Sequence, residues 1–336
     1  MTEWIRREGS KASFRYLYAD GRVVRDARTL ERIRRLVIPP AWTDVHIAAS
    51  ARAEIQAWGL DAKQRKQYRY HARAVERGQL RKYYRVRELA KDLPDIRARV
   101  RAHAAVRAPS RRAVAAAVVR LISESFFRIG GERYAEENRT FGIATLRKRH
   151  VELAKGQAVF TYVGKKSIRQ RQVVTNRELA RLVKRQLTTP GARLFRYREG
   201  TRWRNLTARD VNEYLHDTLG VPYSAKDFRT WGGTLRAATV LAELGPGSSA
   251  TEAKRNVATT MRLVASELGN TPTICRKSYV HPIIVARYLD EGDTIRLSAR
   301  YRQAADAYAH SAEERALIRF LDRHFPERRL RARERR

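Results

Sequence analysis

The spacing of the apolar residues changes near residue 83, and this change restricts the folds that the chain can adopt. Residues 1–82 contain short alternating runs broken by turn-forming residues, a pattern typical of β-strands, with one or two helices expected, for example near 29–36. Beyond residue 83, apolar residues recur at spacings of three and four, which is typical of α-helices. The sequence therefore predicts an α+β protein, with a small strand-rich domain at 1–82 and a larger, mainly helical domain at 83–336.

A β-hairpin is predicted inside the helical half. Residues 158–163 and 167–174 are two β-prone runs, and Gly164-Lys165-Lys166 joins them. Glycine at the start of such a connection allows a tight turn. We therefore expect a hairpin with Lys165 at its tip.

A long helix is predicted earlier in the helical half. Ser110 has the character of an N-cap, and Gly130-Gly131 has the character of a C-terminal stop. These limits place Arg128 in the last turn of the helix, where the two glycines would allow a ligand to approach closely.

The chain carries a large positive charge. It has 71 Lys and Arg residues against 35 Asp and Glu, which gives a formal net charge of +36. Such a surplus opposes a compact state unless a polyanion neutralises it, and nucleic acid is the partner that it favours. Ribosomal, nucleoid-packaging and membrane-binding proteins share this charge. A length of 336 residues, 43% of them hydrophobic, suits one large or two medium domains and argues against a simple packaging protein.

Cysteine and histidine usage gives no indication of a metal site. Cys275 is the single cysteine, which excludes an intramolecular disulfide and a zinc site built from several cysteines. The eight histidines are scattered, without metal-ligand spacing.

No secretory signal or apolar run of about 18 residues is visible. We expect a cytoplasmic protein without a metal or a membrane segment.

The segment 269–279 ends in a tyrosine close to two cations. Arg276 and Lys277 precede Tyr279 by three and two positions. A tyrosine has an ordinary pKa of about 10, so a tyrosine nucleophile needs nearby positive charge to gain phenolate character. In a chain that favours polyphosphate, Tyr279 is a candidate nucleophile for phosphoryl transfer. Taken alone, Tyr279 fits an aromatic core residue better than a nucleophile.

Phosphodiester cleavage also requires donors to the non-bridging oxygens and a proton for the leaving alkoxide. Arg128, Arg229 and Asn270 are candidate donors, and Lys165 is a candidate proton source. Each also has a plainer explanation. Arg128 could complement a helix dipole, Lys165 could be a solvated loop residue, and Asn270 could cap a helix after Gly269.

The order and contexts of these residues resemble the type IB DNA topoisomerase family, in particular its poxvirus-like class and bacterial branch. Arg128 lies in Phe-Arg-Ile-Gly, and Lys165 is the first lysine after the hairpin glycine. Arg229 lies in Lys-Asp-Phe-Arg-Thr-Trp-Gly, and Tyr279 follows Arg-Lys-Ser. Asn270 occupies a position where many members of the family carry histidine. The resemblance extends over nearly the whole chain.

The resemblance implies a reaction and a partner. Tyr279 would form a 3′-phosphotyrosine, and the 5′ hydroxyl would leave with a proton from Lys165, relayed by Arg128. Arg128, Arg229 and Asn270 would hold the phosphate oxygens. The nicked strand would rotate and be resealed without ATP, metal or other cofactor. The resemblance implies a nucleoid-associated monomer acting on double-stranded DNA. Asparagine at 270 would tune the activity without abolishing it.

The same resemblance indicates DNA contacts in the N-terminal half. Residues 59–61 and 67–71 resemble the strand with which the family touches DNA, and the stretch mixes cations with aromatic side chains. The 1–82 domain would then clamp the duplex against the catalytic domain. The expected DNA-binding residues are Lys63, Arg65, Gln67, Tyr68, Tyr70 and Lys226.

Two other functions fit parts of the sequence. A tyrosine recombinase would share the C-terminal chemistry, but recombinases usually place histidine three residues before the second arginine, where this chain has Lys226. They also usually begin with a helical DNA-binding domain. A non-enzymatic nucleoid-binding protein would explain the charge and would form no covalent tyrosyl adduct.

Overall fold

The computed structural model describes residues 3–10, 13–297 and 308–325. The chain divides into two compact units, Met1–Lys82 and Tyr83–Arg336. Strands predominate in the first unit and helices in the second, which confirms the predicted α+β class. In the described ranges, no helix is both long enough and apolar enough to cross a membrane.

The first unit is built on a five-stranded antiparallel sheet with the strand order β2-β1-β3-β4-β5. A helix, α1, follows β2, and the side chain of its N-cap Asp26 accepts a hydrogen bond from Thr29 N. This confirms the helix expected near 29–36. The elements are β1 (Trp4–Ser10), β2 (Ser13–Leu17), α1 (Ala27–Arg35), β3 (Thr43–Ala48), β4 (Ile55–Leu60) and β5 (Lys66–Tyr70).

Strand register gives this sheet two different faces. Ile5 pairs with Ile47, and Ile47 pairs with Ala57, so these apolar residues share one face and form a core with Ile33 of α1. The register also aligns residues of the opposite face, which carries cationic and aromatic side chains. The aligned residues are Arg6, His46, Trp58 and Tyr68.

The second unit is mainly helical, and α3 lies at its centre. Every residue of α3 from 113 to 122 is buried, which is typical of a helix surrounded by protein on all sides. The helix Ala72–Ala105 begins inside the first unit, earlier than the sequence predicted, and extends into the second. The helices are α2 (Ala72–Ala105), α3 (Arg111–Ser125), α4 (Glu132–Glu137), α5 (Arg177–Leu187), α6 (Ala208–Glu213), α7 (Ala225–Leu244), α8 (Ala250–Leu268), α9 (Pro272–Ser278), α10 (Pro282–Glu291) and α11 (Ala312–His324).

The predicted hairpin is present in this unit. Val163 pairs with Arg169 at the end of β7 and the start of β8, and Lys165 lies in the connecting turn. A third strand pairs with β7, and a separate two-stranded ribbon follows; the sequence reading did not identify these strands. The strands are β6 (Val151–Ala154), β7 (Gln157–Val163), β8 (Arg169–Val174), β9 (Arg196–Glu199) and β10 (Arg202–Asn205).

The helix before the hairpin ends earlier than predicted. The predicted N-cap is confirmed, since Ser110 accepts a hydrogen bond from Ala113 N, but α3 stops at Ser125. Phe126 then takes a left-handed conformation with φ of 55°, and its ring fills the space in which a Cβ on Gly232 would lie. Arg128 therefore follows the helix in a non-helical segment, and its predicted place in the last turn is wrong.

The segment that contains Arg128 also lies directly against the backbone at residues 142–144. A Cβ on Gly142 would lie 2.5 Å from Gly130 N and 2.6 Å from Arg128 O. Ile143 N donates to Arg128 O at 2.7 Å, and Ala144 N donates to the next carbonyl at 2.9 Å. The glycines thus let two chain segments hydrogen-bond directly, and this pairing fixes the backbone on both sides of Arg128.

Candidate active site

One cavity of about 340 Å³ brings most of the predicted catalytic residues together. It lies within the second unit and is formed by the segment after α3, the hairpin turn, the start of α7 and the end of α9. Four of the five candidate catalytic residues line it, together with the predicted DNA contact Lys226. Those four are Arg128, Lys165, Arg229 and Tyr279.

Tyr279 is positioned from α7. It caps the C-terminus of α9, and its N–H donates to Cys275 O at 2.9 Å. The Thr234 hydroxyl lies 3.2 Å from Tyr279 O and accepts a hydrogen bond from His281 N at 3.0 Å. A Cβ on Gly233 would come within 3.0 Å of Tyr279 O. Two neighbouring residues of α7 therefore hold the backbone at the tyrosine and just after it.

Arg229 provides a buried positive charge beside this tyrosine. Its side chain projects from α7, is 3% exposed, and donates through Nη2 to Leu268 O at 2.9 Å. The guanidinium carbon lies 5.2 Å from the centroid of the Tyr279 ring. Burial lowers the pKa of Arg229, and the Tyr279 phenol opposes that effect. Arg229 Nε is buried and has no acceptor within the described ranges, although the residue itself lines the cavity.

Arg128 connects the cavity to Asn270. Its Nη2 donates to Gly269 O at 2.7 Å and to Asn270 Oδ1. Because Arg128 holds the amide oxygen, the NH₂ group of Asn270 is the end left without an acceptor among the described residues. The amide lies beside Cys275, whose thiol pKa is raised by burial and partly lowered by Asn270. The structure thus joins Asn270 directly to Arg128, although Asn270 is not among the residues that line the cavity.

Asn270 also takes part in the cap that its plainer explanation suggested. Gly269 ends α8 in the left-handed conformation with φ of 63°, and Asn270 N donates to Ala265 O at 2.9 Å. The backbone therefore closes the helix while the side chain is held by Arg128. The two roles do not exclude each other.

Lys165 is positioned by a hydrogen-bond chain that the sequence reading missed. Tyr162 Oη donates to Gln172 Oε1 at 2.8 Å, and Gln172 Nε2 donates to Ser125 O at 3.0 Å. Burial raises the pKa of Tyr162 to about 12, so its phenol stays protonated and remains a donor. The chain of bonds fastens the hairpin to the end of α3. The hairpin that carries Lys165 and the segment that carries Arg128 are therefore both attached at Ser125, the last residue of α3.

Asp227 fixes the start of α7 and was also missed. Its buried carboxylate accepts from Ser224 N and Oγ at 2.8 Å, and Arg85 Nη2 lies 2.9 Å from its other oxygen. The Ser-x-x-Asp capping pattern is visible in the sequence, but the ion pair with α2 is not. This contact holds the turn of helix that carries Lys226 and Arg229.

The predicted DNA contacts of the first unit do not share one face. Tyr68 and Tyr70 are exposed, with ring centroids 5.7 Å apart. Gln67 lies on the opposite face of β5 and donates to Asp61 Oδ2 at 2.9 Å, and Arg65 forms an ion pair with the same carboxylate at 2.6 Å. Lys63 is exposed in the turn before β5. The two tyrosines are therefore the members of this set that jointly present an exposed surface.

The described part of the chain contains no group of three His, Cys, Asp or Glu side chains that could hold a metal ion. The charged groups of the cavity are instead cations from Arg128, Lys165, Lys226 and Arg229. Three or more cations around one concavity favour a phosphate-bearing ligand.

Comparison with known proteins identifies the family. Residues 70–303 match the family described as eukaryotic DNA topoisomerase I, catalytic core, and residues 13–61 match the bacterial DNA topoisomerase IB N-terminal domain. The DNA topoisomerase 1B of Acanthamoeba polyphaga mimivirus is 30% identical over 289 residues, which cover 83% of this chain and 86% of that protein. The DNA topoisomerase 1B of vaccinia virus (strain Copenhagen) is 29% identical over 183 residues, 52% of this chain and 54% of that protein. The chain belongs to the type IB DNA topoisomerase family, a family of isomerases.

Proposed function

We propose that this protein relaxes supercoiled duplex DNA by cutting one strand, letting it rotate and resealing it through a 3′-phosphotyrosyl bond at Tyr279. The observation that carries the proposal is the shared cavity, in which Tyr279 lies with Arg128, Lys165 and Arg229. Family membership implies DNA binding. The geometry supports the proposal, because Tyr279 as nucleophile would lie among the cations that a phosphate in transfer requires.

Cleavage would begin at the Tyr279 oxygen. As that oxygen bonds to phosphorus, the phenol loses its proton and the bond from phosphorus to the 5′ oxygen breaks. The buried charge of Arg229, 5.2 Å from the ring centroid, favours the developing phenolate. Its guanidinium, which belongs to the cavity lining, would donate to a non-bridging oxygen. The same group would therefore assist both the nucleophile and the phosphate.

The leaving 5′ oxygen would take a proton from Lys165, directly or relayed through Arg128. Lys165 lies on a hairpin fastened at Ser125, so its ammonium reaches the cavity from the side that also carries the Arg128 segment. Religation is the reverse: the 5′ hydroxyl attacks the phosphotyrosine and returns its proton. Because the ester conserves the energy of the broken bond, we propose that neither ATP nor a metal takes part.

The first unit would hold the duplex, with Tyr68 and Tyr70 as its strongest candidates for contact, and the enzyme would act as a monomer. Lys63, Arg65 and Gln67 would then act at the edges of that surface. Their contacts to Asp61 show that Arg65 and Gln67 also have a structural role. Lys226 would contact a phosphate from within the active-site cavity.

Asn270 should donate to the scissile phosphate through its NH₂ group. We expect Asn270→Asp to slow cleavage by about 10²- to 10³-fold. Aspartate still offers Arg128 an acceptor, but it replaces the donor with a negative charge that repels the phosphate. Single-turnover cleavage at saturating enzyme is the measurement. Asn270→His, which keeps a donor, should retain activity; equal losses in both variants would mean that the donor is unimportant.

Adduct trapping tests the proposal as a whole. Wild-type enzyme is mixed with a duplex in EDTA without nucleotide and then denatured. A label on the 5′ end of the cut strand should stay with the protein, a label on its 3′ end should be released, and the modified peptide should contain Tyr279. Supercoiled plasmid should relax under the same conditions. An adduct that retains the 3′ end, or relaxation only with ATP or Mg²⁺, would contradict the mechanism.

A further inference from the structure

A second cavity adjoins the active-site cavity and has no role in the chemistry above. Its volume is about 440 Å³, and Phe141 lines both cavities. It is formed by α4, the segment that follows α4, and the loop before β9. The charged residues of its lining are Arg139, Arg147, Arg149, Arg193, Glu132 and Glu136.

Three of its arginines are open to an incoming anion. Arg139, Arg147 and Arg149 are exposed, and no carboxylate of the described chain forms an ion pair with any of them. The Arg147 guanidinium carbon lies 6.0 Å from the centroid of Phe141, the residue shared with the active site. The positive surface of the catalytic cavity therefore continues past Phe141 into this second concavity.

The fourth arginine of the cavity, Arg193, is held in place by hydrogen bonds. Arg193 donates to both oxygens of Glu132, at 2.6 and 2.7 Å, and to Ala144 O at 2.6 Å. Arg193 thus neutralises Glu132 and holds it against the backbone. Glu136 is exposed and is the remaining carboxylate of the lining, so it opposes anion binding. Four cations against two carboxylates leave the cavity positive.

The neighbouring His150 responds to the same charges. Its ring centroid lies 4.5 Å from that of Phe141. Burial lowers the pKa of His150 to about 4, and the charges of Arg149 and Arg147 add to this effect. The imidazole is therefore neutral near pH 7, so it adds no charge of its own. The positive charge of the cavity comes from the arginines.

We infer that this arginine cavity is a second phosphate subsite, which binds the sugar–phosphate backbone of DNA away from the scissile phosphate. The inference rests on the proposed function, because it assumes that a strand passes through the catalytic cavity. A strand placed there carries further phosphates at regular intervals, and the surface past Phe141 presents guanidinium forks that suit them. These contacts read no base sequence and contribute salt-dependent affinity.

The test measures the salt dependence of DNA binding in a Tyr279→Phe background, which prevents covalent reaction. Affinity for a labelled duplex is determined over a series of KCl concentrations. Replacing Arg139, Arg147 and Arg149 together with alanine should reduce the slope of log K against log [KCl] by about 2 to 3, roughly one unit for each lost phosphate contact. Glu136→Gln should tighten binding several-fold.

A matched control separates local contacts from total charge. Replacing Lys254, Arg255 and Arg262 on the exposed side of α8 with alanine removes the same three charges. If the slopes of the two triple variants agree, or if Glu136→Gln binds no more tightly, the subsite is disproved. If the wild-type enzyme forms no adduct in the trapping experiment, the proposed function fails instead. The two failures are therefore distinguishable.

Discussion

Tyr279→Phe should abolish strand cleavage, with a loss on the order of 10⁵-fold or more, because the covalent route loses its nucleophile. Phenylalanine keeps the ring beside Arg229 and leaves the backbone contact with Thr234 intact. The variant should therefore fold and bind duplex DNA with an affinity close to that of the wild type. Adduct formation and plasmid relaxation measure the loss, and fluorescence anisotropy with labelled duplex measures the retained binding.

Tyr288→Phe is the control for this variant. It also removes one phenol hydroxyl, which in the wild type donates to Gly245 O at 2.6 Å, away from the described cavity lining. We expect it to lower the free energy of unfolding by about 1 to 3 kcal/mol, because Gly245 O and Asn256 Nδ2 lose a partner, and to keep cleavage. Residual adduct in Tyr279→Phe, at a rate comparable with Tyr288→Phe, would show that another residue is the nucleophile.

Lys165→Ala should give the second-largest effect, slowing cleavage by about 10²- to 10⁴-fold. An alkoxide is a poor leaving group unless it is protonated as the bond breaks. A duplex with sulfur in place of the bridging 5′ oxygen removes this requirement, because a thiolate leaves without a proton. The defect of Lys165→Ala should therefore be largely lost on the sulfur-containing duplex. Single-turnover cleavage of the two duplexes measures the difference.

The adjacent lysine supplies a control from the same turn. Lys166 has a left-handed conformation with φ of 62°, so Lys166→Asn removes its charge with a residue that tolerates this backbone. We expect cleavage by Lys166→Asn to stay within several-fold of the wild type on both duplexes. If sulfur substitution does not restore Lys165→Ala, the lysine acts on the phosphate oxygens and is not the proton donor.

Local features of the fold were predictable from sequence because short-range physics determines them. Ser110 caps α3 as expected, and the hairpin that carries Lys165 forms between the two β-prone runs. The end of α3 was predicted wrongly at Gly130-Gly131. That limit depends on the Phe126 ring entering space left by Gly232, a contact between residues distant in sequence. Helix propensity and capping residues are local in sequence and cannot reveal such a contact.

The candidate site was likewise predictable only where local sequence determines it. The five candidates were recognised from their order and contexts, and family membership is confirmed by the comparisons. The contacts that hold these residues in place were not recognised. They are the hydrogen bonds from Tyr162 through Gln172 to Ser125 and the Arg85–Asp227 ion pair. Polar partners of this kind are decided by tertiary packing. Strand alternation, in contrast, could have shown that Gln67 and Tyr68 face opposite ways.

Helix α7 contains two consecutive glycines with different neighbours. Gly232 makes room for the Phe126 ring, and Gly233 makes room for the backbone of Tyr279. Glycine inside a helix is less favourable than alanine by about 1 kcal/mol per residue, so this pair weakens α7 by roughly 2 kcal/mol. Engineering for heat resistance by exchanging helical glycines for alanine would therefore fail at this pair, because any gain in helix propensity would displace Tyr279 or the Phe126 ring.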